Sequence, residues 1–66
     1  MGRNTRGKIK EHLEGMHRNT EAYKAHVAAC MDFIGDSNPK ARLAFDQLWE
    51  LNTVLDEFTQ NLYGSI

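Results

Sequence analysis

The sequence predicts an all-α protein, an antiparallel two-helix hairpin with helices at about 6–34 and 39–63 that dimerises into a four-helix bundle. Apolar residues recur at alternating steps of three and four in both halves of the chain, and one turn signal separates the halves. Large apolar residues outside these stripes favour self-association. The 66 residues are expected to form one domain, with residues 1–5 frayed.

The first helix is predicted from a stripe of residues at heptad spacing. Thr5 is its candidate N-cap, and Gly7 weakens the first turn. Thr20 fills the one position of the stripe that lacks an apolar residue. The apolar members of the stripe are Ile9, Leu13, Met16, Tyr23, Val27, Cys30 and Ile34.

The segment Gly35-Asp36-Ser37-Asn38-Pro39 predicts the turn between the helices. Gly35 supplies the left-handed conformation that closes a helix, Ser37 or Asn38 can cap the next one, and Pro39 suits its first position. A loop of about four residues makes the two helices antiparallel neighbours.

The second helix carries its own stripe and ends at a second stop signal, Gly64. Folding the hairpin pairs residues whose numbers sum to about 74 or 75, and it is expected to bury both stripes as a seam. Met16 then meets Phe58, and Cys30 meets Ala44. The second stripe consists of Ala41, Ala44, Leu48, Leu51, Leu55, Phe58 and Leu62.

Self-association is expected because two helices bury only a seam, and a single cysteine cannot form an internal disulfide. A second copy is the expected partner, and another protein's helices are the alternative. The interface is predicted from large apolar residues off the seam, namely Met31, Phe33, Phe45, Trp49 and Val54.

Composition and charge exclude several classes of function. Eight Lys and Arg against nine Asp and Glu give a net charge of −1, which disfavours a strongly basic nucleic-acid binder. No apolar run reaches the ~18–20 residues that span a bilayer, and neither a secretory signal nor a lipidation motif is expected. The lone cysteine favours a reducing, cytoplasmic location.

No catalytic constellation is recognisable in the sequence. Ser-His-Asp spacing and a phosphate-binding glycine loop are missing, and Cys30 on the seam is expected to behave as a small hydrophobe. We therefore expect a non-enzymatic protein–protein interaction or regulatory module that acts as a helical-hairpin oligomer.

One alternative function is a dinuclear metal site. Glu14-Gly15-Met16-His17 matches the Glu-x-x-His motif of di-iron bundles, and a dimer would supply two copies, with Glu50 or Glu57 as a further carboxylate. Glu14 and His17 flank the seam, and the acidic residues of the second helix lie off it. We therefore expect neither a cofactor nor stoichiometric metal, and Glu14 and His17 stay weak candidates.

The other alternative is nucleic-acid binding through a basic N-terminal arm of Arg3, Arg6, Lys8 and Lys10. Residues 1–34 hold six basic and four acidic residues, whereas residues 35–66 hold two basic and five acidic ones. The arm has no aromatic residues between its charges, and the second helix is acidic. Nucleic acid is therefore an unlikely partner.

The turn from Gly35 to Lys40, followed by an apolar helix, resembles the small sporulation aspartyl-phosphate phosphatases, which are antiparallel two-helix hairpins. Their signature is a Ser-x-x-x-Asp core in the second helix. This sequence has Phe45 and Trp49 at the matching offset, so neither a function nor a site residue is transferred.

Overall fold

The computed structural model describes the backbone of residues 3–66 and the side chains of residues 5–66. It consists of two helices, α1 (Arg3–Ile34) and α2 (Pro39–Ser65), which pack side by side as a hairpin of about 53 × 15 × 11 Å. The predicted all-α helical hairpin is confirmed. Neither described helix contains a stretch apolar enough to cross a membrane.

The helix ends extend beyond the predicted ones. Because α1 begins at Arg3, Thr5 lies inside the helix and does not cap it. Helix α2 continues through Gly64 to Ser65, so Gly64 does not stop it. Fraying of residues 1–5 stays a prediction, and Met1 and Gly2 lie outside the described residues.

The turn has the predicted chemistry. Gly35 has a φ of 56° and its N–H donates to the Met31 carbonyl at 3.0 Å, which closes α1. The Asn38 side chain accepts a hydrogen bond from the Ala41 N–H at 3.1 Å, and Pro39 is the first residue of α2. Asn38 is therefore the cap.

The pairing of the helices agrees with the predicted register. The numbers of His17 and Asp56, which share a hydrogen bond, sum to 73, and those of Glu14 and Tyr63 sum to 77. Both sums lie close to the predicted value of about 75.

The prediction that both stripes are buried is, however, wrong for half of the stripe residues. Both helices are rotated about their axes relative to the predicted orientation. Leu13, Thr20 and Val27 are buried as expected. Six large stripe residues instead lie on the surface, between 47% and 65% exposed: Met16, Tyr23, Leu51, Leu55, Phe58 and Leu62. In their place, two polar residues of α2 are buried, namely Asp56 and Thr59.

The rotation has a geometric reason in the heptad pattern itself. In a four-helix bundle each apolar stripe points to the bundle axis, which lies diagonally from the nearest neighbouring helix. A single hairpin in that orientation buries one edge of each stripe and leaves the other edge open. In the structure, the rotated helices likewise leave one edge of each stripe uncovered.

Candidate functional site

Helical spacing puts the six exposed stripe residues on one side of the hairpin, and we call this surface the apolar face. On α1, Met16 and Glu14 lie on opposite sides of the line through Leu13 and Thr20. The Tyr63 hydroxyl donates to Glu14 Oε1 at 3.0 Å, so the Glu14 side of α1 adjoins the Tyr63 side of α2. Leu62 lies on the other side of α2 and therefore shares the face of Met16.

No Lys, Arg, Asp or Glu lies on the apolar face. Helical spacing puts the charged residues between Ile9 and Ile34 and between Ala41 and Leu62 on the other sides of the helices. The residues that flank the apolar face are His12, Asn19 and His26 on α1 and Gln47 and Asn61 on α2. The charged residues are Lys10, Glu11, Glu14, Arg18, Glu21, Lys24 and Asp32 on α1 and Arg42, Asp46, Glu50, Asp56 and Glu57 on α2.

The interface predicted from the sequence is dispersed around the hairpin. Met31 and Phe45 are half-buried at positions that point between the helices. Phe33 is 92% exposed on α1, and Val54 is exposed on the outer side of α2. The Lys24 ammonium lies over the Trp49 ring, 4.5 Å from its centroid, on the side away from the apolar face. The structure does not bring these five residues into one patch.

A group of polar side chains, which we call the polar layer, lies between the helices. His17 Nδ1 is 2.7 Å from Asp56 Oδ1, and Gln60 Nε2 donates to Asp56 Oδ2 at 2.8 Å. The Thr20 hydroxyl lies 3.1 Å from Asp56 Oδ1 and 2.8 Å from the His17 carbonyl, and can donate to one of them at a time. Among the described residues, every buried side-chain polar atom has a partner.

These contacts hold Asp56 in its ionised form. The hydrogen bond from His17 lowers the pKa of the Asp56 carboxyl below its ordinary value, and the hydrogen bonds from Gln60 and Thr20 act in the same direction. Burial acts against them, because desolvation disfavours the charge, but the hydrogen bonds dominate.

Glu14 and His17, the weak metal candidates of the sequence, belong to different groups of side chains in the structure. Glu14 is engaged by Tyr63, so it does not join His17. The Glu14 carboxylate raises the pKa of the Tyr63 hydroxyl through this hydrogen bond. His17 instead has two other carboxylates near it: one ligand atom each from His17, Glu21 and Asp56 lie within 4.8 Å of one another. Glu50 and Glu57 are exposed and outside this group.

The sequence contained a signal for part of this group. Thr20 was the polar member of the first stripe, and the pairing sum of about 74 or 75 places it opposite Val54 or Leu55. A buried hydroxyl requires a polar partner, and the polar residues on either side of these two positions are Thr53 and Asp56. Glu21 follows His17 by four residues, the spacing that puts two side chains on one side of a helix.

A groove of about 500 Å³ opens beside the polar layer, on the side of the hairpin away from the apolar face. His17 and Gln60 line it together with Glu14, Arg18 and Tyr63. His17 is therefore accessible from solvent, while Asp56 behind it is only 8% exposed.

Two further sequence-based expectations have a place in the structure. Cys30 is exposed, so the expectation of a buried seam cysteine is wrong; the rotation of α1 turns it outward. In the basic arm, Lys10 lies over the Tyr63 ring, 4.8 Å from its centroid, and Arg6 and Lys8 are exposed.

Comparison with known proteins yields no relative: no family model, no curated protein and no solved structure matches this chain.

Proposed function

We propose that this chain is a non-enzymatic protein–protein interaction module whose working form is a homodimer, two hairpins packed through their apolar faces into a four-helix bundle. The observation that carries the proposal is the apolar face, six large and exposed apolar side chains on one uncharged surface. A surface of this kind marks an interaction site in a soluble protein.

A second copy is the occupant because the hairpin needs its partner in order to fold. Among the described residues, Leu13 and Val27 are the only buried apolar side chains. Two such side chains cannot offset the conformational entropy of ordering about 60 residues. A second copy is present wherever the chain is made, whereas another protein would have to be supplied at a matching concentration.

A two-fold dimer also suits the apolar face. On α2 the face runs from Leu51 to Leu62, about 17 Å at 1.5 Å per residue. Across a two-fold axis the same face packs against itself, and an uncharged face avoids like-charge repulsion there.

The same proposal assigns the module a regulatory or scaffolding role in the cytoplasm. The single cysteine supports this location, because disulfide bonds are rare in reducing compartments. In a dimer of this kind the charged sides of both hairpins face outward, with acidic and basic residues interspersed, and these sides are available to further partners.

The test is a matched pair of substitutions, Phe58→Asp on the apolar face and Phe33→Asp outside it. We expect sedimentation equilibrium to give a dimer for the parent chain and for Phe33→Asp. Phe58→Asp should weaken dimerisation at least about a hundredfold, because two charges would be buried without partners. Its helicity by circular dichroism should fall as the dimer dissociates.

The opposite pattern, in which Phe33→Asp dissociates the dimer and Phe58→Asp does not, would support the interface predicted from the sequence and overturn this one. A parent chain that is monomeric and fully helical at micromolar concentration would overturn the dimer itself.

A further inference from the structure

We propose that His17, Glu21 and Asp56 form a binding site for a divalent transition-metal ion of the Zn²⁺ type. The site lies on the polar side of the hairpin, and it is independent of the apolar face. It departs from the sequence-based expectation of no stoichiometric metal, because the structure replaces Glu14 with two other carboxylates.

The arrangement of donors supports this site. One ligand atom from each of the three residues lies within 4.8 Å of the other two, and His17 Nδ1 and Asp56 Oδ1 are already 2.7 Å apart. Around Zn²⁺, bonds of about 2.1 Å put tetrahedral ligand atoms about 3.4 Å from one another. Glu21 is exposed, so its side chain is free to change rotamer towards the ion, and His17 Nδ1 and Asp56 Oδ1 would move apart from 2.7 Å to admit it.

Asp56 distinguishes this group from an ordinary cluster of surface charges. Its carboxylate is buried, and Thr20 and Gln60 hold it in position from behind. Hydrogen bonds of this kind orient the carboxylate ligands of metal sites. The ion would take the place of the proton shared by His17 Nδ1 and Asp56 Oδ1, and that proton would leave to solvent.

The donor set selects the kind of ion. One imidazole nitrogen and two carboxylate oxygens suit Zn²⁺ and its neighbours in the first transition row, whereas Mg²⁺ and Ca²⁺ favour all-oxygen sites. Three protein ligands leave a coordination position for water, and the site is open to solvent because the Glu21 side chain is exposed and that of His17 is half-exposed.

The experiment is a Zn²⁺ titration of the untagged, chelator-treated chain by calorimetry, with equilibrium dialysis to count bound ions. We expect one ion per chain, a higher thermal midpoint in the presence of Zn²⁺, and at least about tenfold weaker binding of Mg²⁺. Glu21→Gln should weaken Zn²⁺ binding at least about tenfold. Because Glu21 is exposed, this variant should fold normally.

The matched control is Glu14→Gln. The Glu14 carboxylate precedes His17 in α1 and accepts a hydrogen bond from the Tyr63 hydroxyl. This variant should leave Zn²⁺ affinity within about twofold of the parent value, since Glu14 is not a ligand. His17→Gln should weaken binding as Glu21→Gln does, and His12→Ala and His26→Ala should not.

Three results would overturn the site: no binding of Zn²⁺ at millimolar concentration, a loss in Glu14→Gln as large as that in Glu21→Gln, or binding that depends on His12 or His26 instead of His17. These results are separate from the dimer, which is measured by sedimentation in metal-free buffer.

Discussion

At the scale of single residues, Asp56 is the ionisable side chain that most needs hydrogen-bond partners, because its carboxylate is buried. A buried carboxylate without partners would cost several kcal/mol, and the cost is avoided only if donors surround it. His17, Thr20 and Gln60 supply those donors from both helices. Thr59 is also buried, but it needs no partner from the polar layer, because its hydroxyl donates to the Leu55 carbonyl at 2.9 Å.

The low pKa of Asp56 predicts how the stability of the fold depends on pH. Its ordinary value is 3.8, and the folded state lowers it, so folding favours the ionised form. The stabilisation is fully present above the unfolded value and is lost as pH falls through the folded one. Urea unfolding of the parent chain between pH 7 and pH 2 should therefore show stability falling below about pH 4.

Asp56→Asn should reduce this acid-dependent loss and should cost about 1–3 kcal/mol at pH 7, because an amide group presents a donor where only acceptors fit. Asp46→Asn, at an exposed position, is the matched control and should change neither quantity appreciably. An unchanged acid profile in Asp56→Asn would show that other carboxylates are responsible.

The sequence singled out two members of the polar layer but did not predict their contacts. Thr20 was visible as a polar residue on an apolar stripe, and His17 as a residue beside it. Asp56 was missed because its heptad position is next to the apolar stripe, so the side it faces depends on the rotation of α2. The rotation of a helix is set by its packing against neighbouring helices, and the periodicity of one helix carries no information about that packing.

At the scale of elements, the hairpin depends on how the turn ends one helix and begins the next. Gly35 adopts a left-handed conformation that other residues resist, and Asn38 caps α2. These features were predictable from the sequence because turn and capping chemistry is local. The far ends of both helices were misjudged by a few residues, because Thr5 and Gly64 both lie inside a helix and neither ends it.

Two glycine substitutions should have opposite effects on stability. Gly35→Ala should destabilise the fold by about 1 kcal/mol, because a Cβ strains a φ of 56° even though the surrounding space is open. Gly15→Ala should stabilise it by roughly 0.5–1 kcal/mol, since Gly15 lies within α1 and the new methyl would meet only the flexible Arg18 side chain at 3.7 Å. Thermal unfolding at a fixed concentration measures both, and equal effects of the same sign would contradict this account of the turn.

At the scale of the whole molecule, the proposed dimer makes folding and association one process. The hydrophobic core of the bundle would be supplied by both hairpins, because each hairpin alone buries few apolar side chains. The interface predicted from the sequence differs from the one proposed on the apolar face, since the sequence-based prediction assumed that each stripe points directly at its neighbour in the hairpin.

The thermal midpoint should therefore rise with protein concentration. A tenfold increase favours a dimer by about 1.4 kcal/mol, which corresponds to roughly 5 °C for two chains of this size. Circular dichroism over two decades of concentration checks this expectation, with Phe58→Asp as the reference. A midpoint that does not depend on concentration would indicate a monomer that unfolds on its own.

The polar layer also fixes the register in which the two helices pair. Heptad stripes repeat every seven residues, so a hairpin that slid by one repeat would recover most of its apolar contacts. After such a slide, Asp56 would no longer lie beside Thr20 but beside Leu13 or Val27, the two buried apolar residues seven positions away on either side. Neither offers a hydrogen bond, so a buried charge would remain unpaired. The single polar layer thus excludes the slipped hairpins that the apolar pattern alone would permit.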